Sequence, residues 1–280
     1  GVDVRAFDPW DKDLGDLLHF FGNFDYFNDI AEHATRLEVP YVVSPIFVSP
    51  RTEARLRWRS SRQKVLGQFP KGSYELLKGA KALFTLTDHE ERSIAAYFGP
   101  EMPRIVRIPN GVEERFSQGN ADAFRKRFGI EGPFAIHIGT IDKSKNQLAS
   151  IAACASDIQL VIIGRESDAD YLKACRQAAG PNVRILGSFP HADPALADGL
   201  AAATVFILPS YRELFPLSAL EATAAGCHLL LSNRWGGEEI WGSDATFVDP
   251  DDGADMAREL RRLMSQERPE KSRAETYLQR

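Results

Sequence analysis

The sequence predicts an α/β protein built as two domains, each a parallel sheet wrapped by helices. Three observations lead there. Short apolar, β-branched runs alternate with helix-length stretches along the chain, most regularly after residue 133; that alternation implies parallel strands joined by right-handed crossovers. Glycines stand at the ends of several runs (Gly139, Gly164, Gly187), where a backbone lacking Cβ can approach a ligand closely. The 280 residues, 44% hydrophobic and 26% charged, suffice for two soluble cores. The expected domains are residues 1–115 and 116–280, with the charged, glycine-containing stretch 113–132 between them.

In the first half, residues 2–8 (VDVRAFD) alternate as a strand, and 16–22 (DLLHFFG) form another. A helix is expected over 25–37, then a strand over 39–44. Residues 51–71 carry Arg51, Arg55, Arg57, Arg59, Arg62, Lys64 and Lys71 against Glu53 alone, the pattern of a solvated face or of one that meets anionic lipid headgroups. A helix at 74–80, a strand at 82–87 and a helix at 88–98 follow, the last with Asp88 as N-cap and Gly99-Pro100 as its stop. A strand and turn over 104–112 close this half; Asn110-Gly111 is first of all a turn signal.

In the second half, strands are expected at 134–139, 160–164, 183–187, 204–208, 228–232 and 245–248. Helices are expected at 147–156, 168–179, 194–203, 216–225 and 252–265. The stretch SYRELFPLSALEATAAG (210–226) stands out. The strand before it ends at Pro209-Ser210, and Pro216 suits a first helical turn because its missing N–H had no partner to lose. Leu217, Leu220 and Ala224 recur at helical spacing, and Gly226 stops the helix. Helical side chains lean towards the N-terminus, so Glu221 points back at the mouth where Glu213 sits. Backbone N–H groups around 216–218 favour an anion there. Two carboxylates and an anion site at the carboxyl end of a parallel strand suit a phosphorylated, hydroxyl-rich ligand. By residue type alone, a solvated helix position is the commoner place for a glutamate such as Glu221.

A net charge of −5 argues against general nucleic-acid binding. Cys154, Cys175 and Cys227 show no metal-ligand spacing, so a reduced, cytoplasmic protein without a metal site is expected. No apolar run reaches membrane-span length. The chain opens at Gly1 without methionine, and the expectation is a piece of a longer protein.

Six motifs now fit one template in order: PNGV (109–112), HIGTIDKSKNQ (137–147), IIG (162–164), VRILG (183–187), ATVFILPSYRELFPLSALEATAAG (203–226) and VDPDD (248–252). They resemble the retaining glycosyltransferases of family 4, which have the GT-B fold. The resemblance covers residues 130–265 throughout and the first half more weakly.

The resemblance implies roles. Glu213 would touch hydroxyls of the donor sugar, and Glu221 would hold the nucleotide's ribose; carboxylates suit both, since they accept paired hydrogen bonds from vicinal diols. Lys145 would neutralise the leaving diphosphate, while Thr140 stands where the family has an arginine. The donor pocket would also include Gly139, Phe215, Leu217, Ser218 and Gly187, with Leu214 and Pro216 replacing small residues usual beside Phe215. On the acceptor side the resemblance points to His19, beside Gly22 and Asn23, and to Asn110; from the residues alone, His19 is a packed strand-end histidine. Ser44-Pro45 replaces a histidine-bearing position of the family.

The implied reaction is transfer of a sugar, with retention, from a nucleoside-diphosphate donor (GDP-, UDP- or ADP-linked) to a glycan or lipid-linked acceptor in cell-surface polysaccharide or glycoconjugate assembly. It needs no cofactor and no metal. The protein would work in the cytoplasm, at the inner face of the membrane. The alternative is a nucleotide-sugar-binding protein without turnover, favoured by Thr140. Another GT-B enzyme, a phosphorylase or epimerase, is a third reading. By the resemblance, residues 2–7 would be the family's second strand, and the expectation is that the central first strand and its glycine-rich loop are not part of this chain. The expectation is weak activity, or a first sheet completed by a partner chain such as a second copy.

Overall fold

The computed structural model describes residues 2–8, 10, 11, 13–48, 53–66 and 71–269; Arg51 and the chain after 269 fall outside this set. The chain divides into two compact units, Gly1–Pro109 and Asn110–Arg280. Residues 110–115, expected with the first domain, therefore group with the second.

The first unit holds strands β1 (Leu18–Phe21), β2 (Tyr41–Ser44), β3 (Leu83–Thr85) and β4 (Ile105–Arg107), with helices α1 (Phe27–Arg36), α2 (Glu53–Val65), α3 (Lys71–Gly79) and α4 (Asp88–Phe98). The sheet is parallel in the simple order β1-β2-β3-β4. One sheet face, with Phe20, Tyr41, Val43 and Leu83, forms a core with side chains from all four helices, among them Ala34, Leu56, Leu77 and Ile94. Neighbours in register share a face, so the other carries His19, Phe21, Val42 and Phe84.

Two local readings need correcting. Residues 2–8 form no strand and are exposed; their alternation defines two faces but finds no neighbouring strand, and β1 is the edge of the sheet. The N-cap of α4 is Thr87, not Asp88: its side chain accepts a hydrogen bond from Glu90 N–H at 3.0 Å, as in the S/T-x-x-E box. Glu90 itself is buried, and its two carboxylate oxygens accept from Phe47 N–H at 2.8 Å and Leu86 N–H at 2.7 Å. That carboxylate ties the segment after β2 to the turn before α4.

The second unit opens with a 3₁₀ turn (Glu114–Ser117) and helix α5 (Ala121–Phe128). Both lie in the stretch expected as a linker. They form because Phe116 and Phe124 bury into the core and Asn120 caps α5 by accepting from Ala123 N–H. The sheet follows: β5 (Phe134–Ile138), β6 (Gln159–Ile163), β7 (Val183–Ile185), β8 (Val205–Leu208), β9 (His228–Ser232) and β10 (Ala245–Val248). It is parallel in the order β10-β9-β8-β5-β6-β7, so chain order reverses between β5 and β8. Helices α6 (Gln147–Cys154), α7 (Ala169–Ala178) and α11 (Gly253–Met264) cover one face over Leu160, Ile162 and Ile207. The other is covered by α5, α8 (Pro194–Ala202), α9 (Leu217–Ala224) and α10 (Glu238–Trp241) over Ile136, Phe206 and Leu231. Burial on both faces explains why the central strands β6 and β8 read as apolar runs, whereas the edge strand β7 carries the exposed Arg184.

Glycine decides two details. A Cβ on Gly164 would collide with the carbonyl oxygen of Gly139, so β5 and β6 can end side by side only with glycine there. Gly226, at φ +77°, ends α9: its N–H donates to Thr223 O and that of Cys227 to Ala222 O, each at 3.0 Å, the paired bonds of a Schellman stop.

Candidate donor site

Ligands bind where strand order reverses in an open α/β sheet, beyond the carboxyl ends of the strands. In the second unit that place lies between β5 and β8. The loop after β5 starts at Gly139, whose N–H donates to Ile163 O at 3.0 Å. Asp142 then turns the chain: its Oδ1 accepts from Ser144 N–H (2.7 Å), Ser144 Oγ (2.6 Å) and Lys145 N–H (3.2 Å). Asn146 adopts the left-handed conformation at φ +59°, and Gln147 donates to Thr140 O at 2.9 Å. These contacts place Lys145 at the entrance of α6. A cation is disfavoured there unless an anion faces it.

Glu213 is that anion. Lys145 Nζ lies 2.5 Å from Glu213 Oε1, with the two side chains 23% and 9% exposed. The loop after β8 aims it: Tyr211 N–H donates to Ser144 O at 2.8 Å, tying the two loops together. Tyr211 Oη donates to Asp251 at 2.8 Å, and Asp251 pairs with Arg234 at 2.9 Å. Leu214 is buried, and Phe215 packs on the core 6.0 Å from Trp241. Pro216 is the N-cap of α9 rather than its first residue, so the helix begins with the N–H groups of Leu217 and Ser218, which an α-helix leaves without internal partners.

Glu221 sits one turn along α9 and is half-buried. Burial pushes its carboxyl above the ordinary glutamate range, while His191 and Arg115 draw it down and Glu113 pushes it up. Those three form a cluster: His191 Nε2 lies 2.5 Å from Glu113 and 2.9 Å from Arg115, and Arg115 Nε donates to Glu113 at 2.9 Å. This cluster is missed by sequence reasoning, because residues 113–115 sit in the expected linker and meet His191 only through the fold. His137, on β5, is another unforeseen feature. It is fully buried, its Nδ1 lies 2.9 Å from Ser150 Oγ, and burial, with Lys145 near, lowers its pKa to about 3. The imidazole is therefore neutral at physiological pH.

The structure thus joins Lys145 to Glu213 and sets Gly139, Thr140, Gly187, Phe215, Leu217 and Ser218 in loops or at a helix start on the carboxyl side of the same sheet, with Glu221 one turn into α9. Lys143, which could stand in for the family's arginine, is directed elsewhere, 3.7 Å from Asp168. His19 belongs to the first unit: its Nε2 lies 2.8 Å from Ser44 Oγ, and its ring stacks on Phe21 at 4.1 Å and meets the edge of Phe84 at 5.4 Å. Asn110 heads the second unit.

Two parallel α/β units of four and six strands, the second with its site at the reversal of strand order, define the GT-B type of glycosyltransferase fold. The model of the family "Glycosyl transferases group 1" matches residues 120–278, more than half of the chain, which therefore belongs to that family. A D-inositol 3-phosphate glycosyltransferase of Acidothermus cellulolyticus is 29% identical over 214 residues, covering 69% of this chain and 48% of the relative. The chain spans about half the length of the relatives it matches. Among solved structures, a sucrose-phosphate synthase from Thermosynechococcus elongatus superposes with a TM-score of 0.72 at 18% identity, over 94% of this chain and 69% of that one. WaaG, a glycosyltransferase involved in lipopolysaccharide biosynthesis, does so with 0.66 at 17%, over 91% and 76%.

Proposed function

We propose that the chain binds a nucleoside-diphosphate sugar in its second unit and transfers the sugar, with retention, to a glycan or lipid-linked acceptor in glycoconjugate assembly. The observation that carries this reading is the Lys145–Glu213 contact of 2.5 Å at the strand reversal, beside the start of α9. An incoming diphosphate replaces Glu213 as the partner of Lys145 and takes hydrogen bonds from Leu217 and Ser218 N–H. Glu213, released, accepts from the sugar hydroxyls, and Glu221 accepts from the ribose. As the bond between the anomeric carbon and the phosphate oxygen breaks, its electron pair passes to the diphosphate. Lys145 and the helix start meet that charge, a type of contribution worth about 10²–10³ in rate. The acceptor hydroxyl oxygen bonds on the face the leaving group vacates, and its proton passes to the departing diphosphate oxygen. The reading assigns the neutralising charge to these groups and to no metal ion. It places the acceptor by His19 and the protein in the cytoplasm, where the buried, unpaired thiols of Cys154, Cys175 and Cys227 suit reducing conditions. It includes a second copy extending the first sheet at the edge strand β1, where Phe21 is 61% exposed.

The test is thermal-shift screening against GDP-, UDP- and ADP-sugars, followed by donor hydrolysis. One donor class should raise the melting temperature, since a ligand for the folded state stabilises it. Hydrolysis should be seen and should disappear in Glu213→Ala. Stabilisation without hydrolysis would favour the second reading, a nucleotide-sugar binder without turnover, which Thr140 at the arginine position and the diversion of Lys143 to Asp168 support. No stabilisation by any donor would sink both.

A further inference from the structure

Helix α2 carries five cations, Arg55, Arg57, Arg59, Arg62 and Lys64, and one acid, Glu53. Its inward seam is clear: Leu56 and Ser60 are buried, and Gln63 accepts a hydrogen bond from Tyr97 of α4 at 2.7 Å. At 3.6 residues per turn, Ala54, Trp58, Ser61 and Val65 then line the opposite, outermost side. Trp58 is 64% and Val65 85% exposed, and Leu66 just after the helix is 54% exposed. The cations flank this ridge, with Arg55, Arg59 and Arg62 on one side and Arg57 and Lys64 on the other. All five are exposed, and the Arg62 guanidinium lies over the Trp58 ring at 5.4 Å.

An apolar ridge between two cationic rows, on the side of a helix turned away from its own core, matches the layering of an anionic bilayer surface. Tryptophan and valine enter the headgroup–acyl boundary while guanidinium groups reach the phosphates on long stems. The chain as a whole carries a net charge of −5, so α2 is a strongly cationic surface on an otherwise acidic protein. From this layering we propose that α2 is a membrane-docking helix that seats the first unit on anionic phospholipid. The proposal rests on α2 alone and is independent of the donor site.

The test is co-sedimentation of the full chain with vesicles of phosphatidylcholine alone or mixed with phosphatidylglycerol, beside fluorescence of a Trp10→Phe variant. Of the four tryptophans, Trp235 and Trp241 are buried, so Trp58 then reports the surface. Binding is expected only to the anionic vesicles, weakening as salt rises, with a blue shift of Trp58 emission. Arg59→Glu with Arg62→Glu should weaken partitioning by about tenfold or more, and Trp58→Ser should weaken it and abolish the shift. The exposed pair Lys173→Glu and Arg176→Glu on α7 should change neither, and melting curves verify that each variant is folded. Equal binding to neutral vesicles, binding insensitive to the α2 reversals, or binding without the Trp58 shift would overturn the proposal. So would RNA binding that the α2 reversals abolish while vesicles leave the spectrum unchanged.

Discussion

The two sheets of this chain use the same parts to different ends. In the first unit four strands run in chain order, so each crossover steps the same way and the helices share one face. In the second the order reverses between β5 and β8. Helices then cover both faces, and the two loops leaving the reversal diverge to opposite faces. Lys145 comes from one of these loops and Glu213 from the other, 68 residues on. A sheet wound in one direction has no such gap. The comparison teaches that the reversal, more than the α/β composition, creates a place for a ligand.

The comparison can be broken at the level of stability first. Phe206 lies on β8 with 0% exposure, between the helices of one face and the strands beside it. Phe206→Ala is expected to cost about 3–5 kcal/mol, whereas Phe21→Ala, at a 61% exposed position of the edge strand β1, should stay within about 0.5 kcal/mol. Urea titration of both variants measures the contrast; equal costs would mean that the two sheets are not packed differently. The next largest effect is chemical. Glu213→Ala should lower donor turnover by about a hundredfold or more with little change in melting temperature, and Phe21→Ala should leave donor hydrolysis intact.

A smaller effect is expected from Arg268. Its guanidinium donates to Gly226 O at 3.1 Å, Leu200 O at 3.2 Å and Ala225 O at 2.7 Å, and also to Ala201 O. It thus satisfies carbonyls at the C-terminal ends of α8 and α9 together. Arg268→Ala should destabilise the second unit by about 1–3 kcal/mol, seen as a lower urea midpoint, and Arg268→Lys should recover only part, because an ammonium lacks the planar fork.

The finest test uses pH. The folded chain raises the Glu221 carboxyl, so this group's contribution to stability is fully present below the ordinary glutamate range and is lost as pH rises through the raised pKa. Binding of a nucleoside diphosphate should run the opposite way. Only the ionised carboxylate accepts from both ribose hydroxyls, so affinity should fall as pH drops through that same pKa. Glu221→Gln should flatten both slopes, and calorimetric titration with UDP, GDP and ADP from neutral to acid pH reads the second. An unchanged slope in the variant would remove Glu221 from the ribose.

How far the sequence foretells these features follows the same division. Strands of the second unit lie within one or two residues of their expected bounds because the central ones, buried on both faces, are short apolar runs. Residues 2–8 mislead because alternation says which side chains share a face and nothing about an available neighbour. Helix α5 escapes notice because two phenylalanines, Phe116 and Phe124, carry its packing inside a charged, glycine-containing stretch. The Thr87 cap is legible in TDHE, but the buried destination of the Glu90 carboxylate is not, since Phe47 lies 43 residues away. At the site, the positions of Glu213 and Glu221 on either side of a helix start are visible in the chain. Their surroundings, the Lys145 contact and the Glu113–Arg115–His191 cluster, depend on elements that meet only when the sheet closes.

The three cysteines all fall in the second unit, Cys154 and Cys175 under one face of its sheet and Cys227 under the other. Burial holds their thiols protonated, with Cys154 pushed up to about 12 and Cys227 to about 11, so a thiol reagent meets almost no thiolate in the folded chain. The protein carries, without any label, a chemical clock that starts only when its second unit opens. Peptide mapping of the labelled cysteines would tell which side of the sheet lets go first.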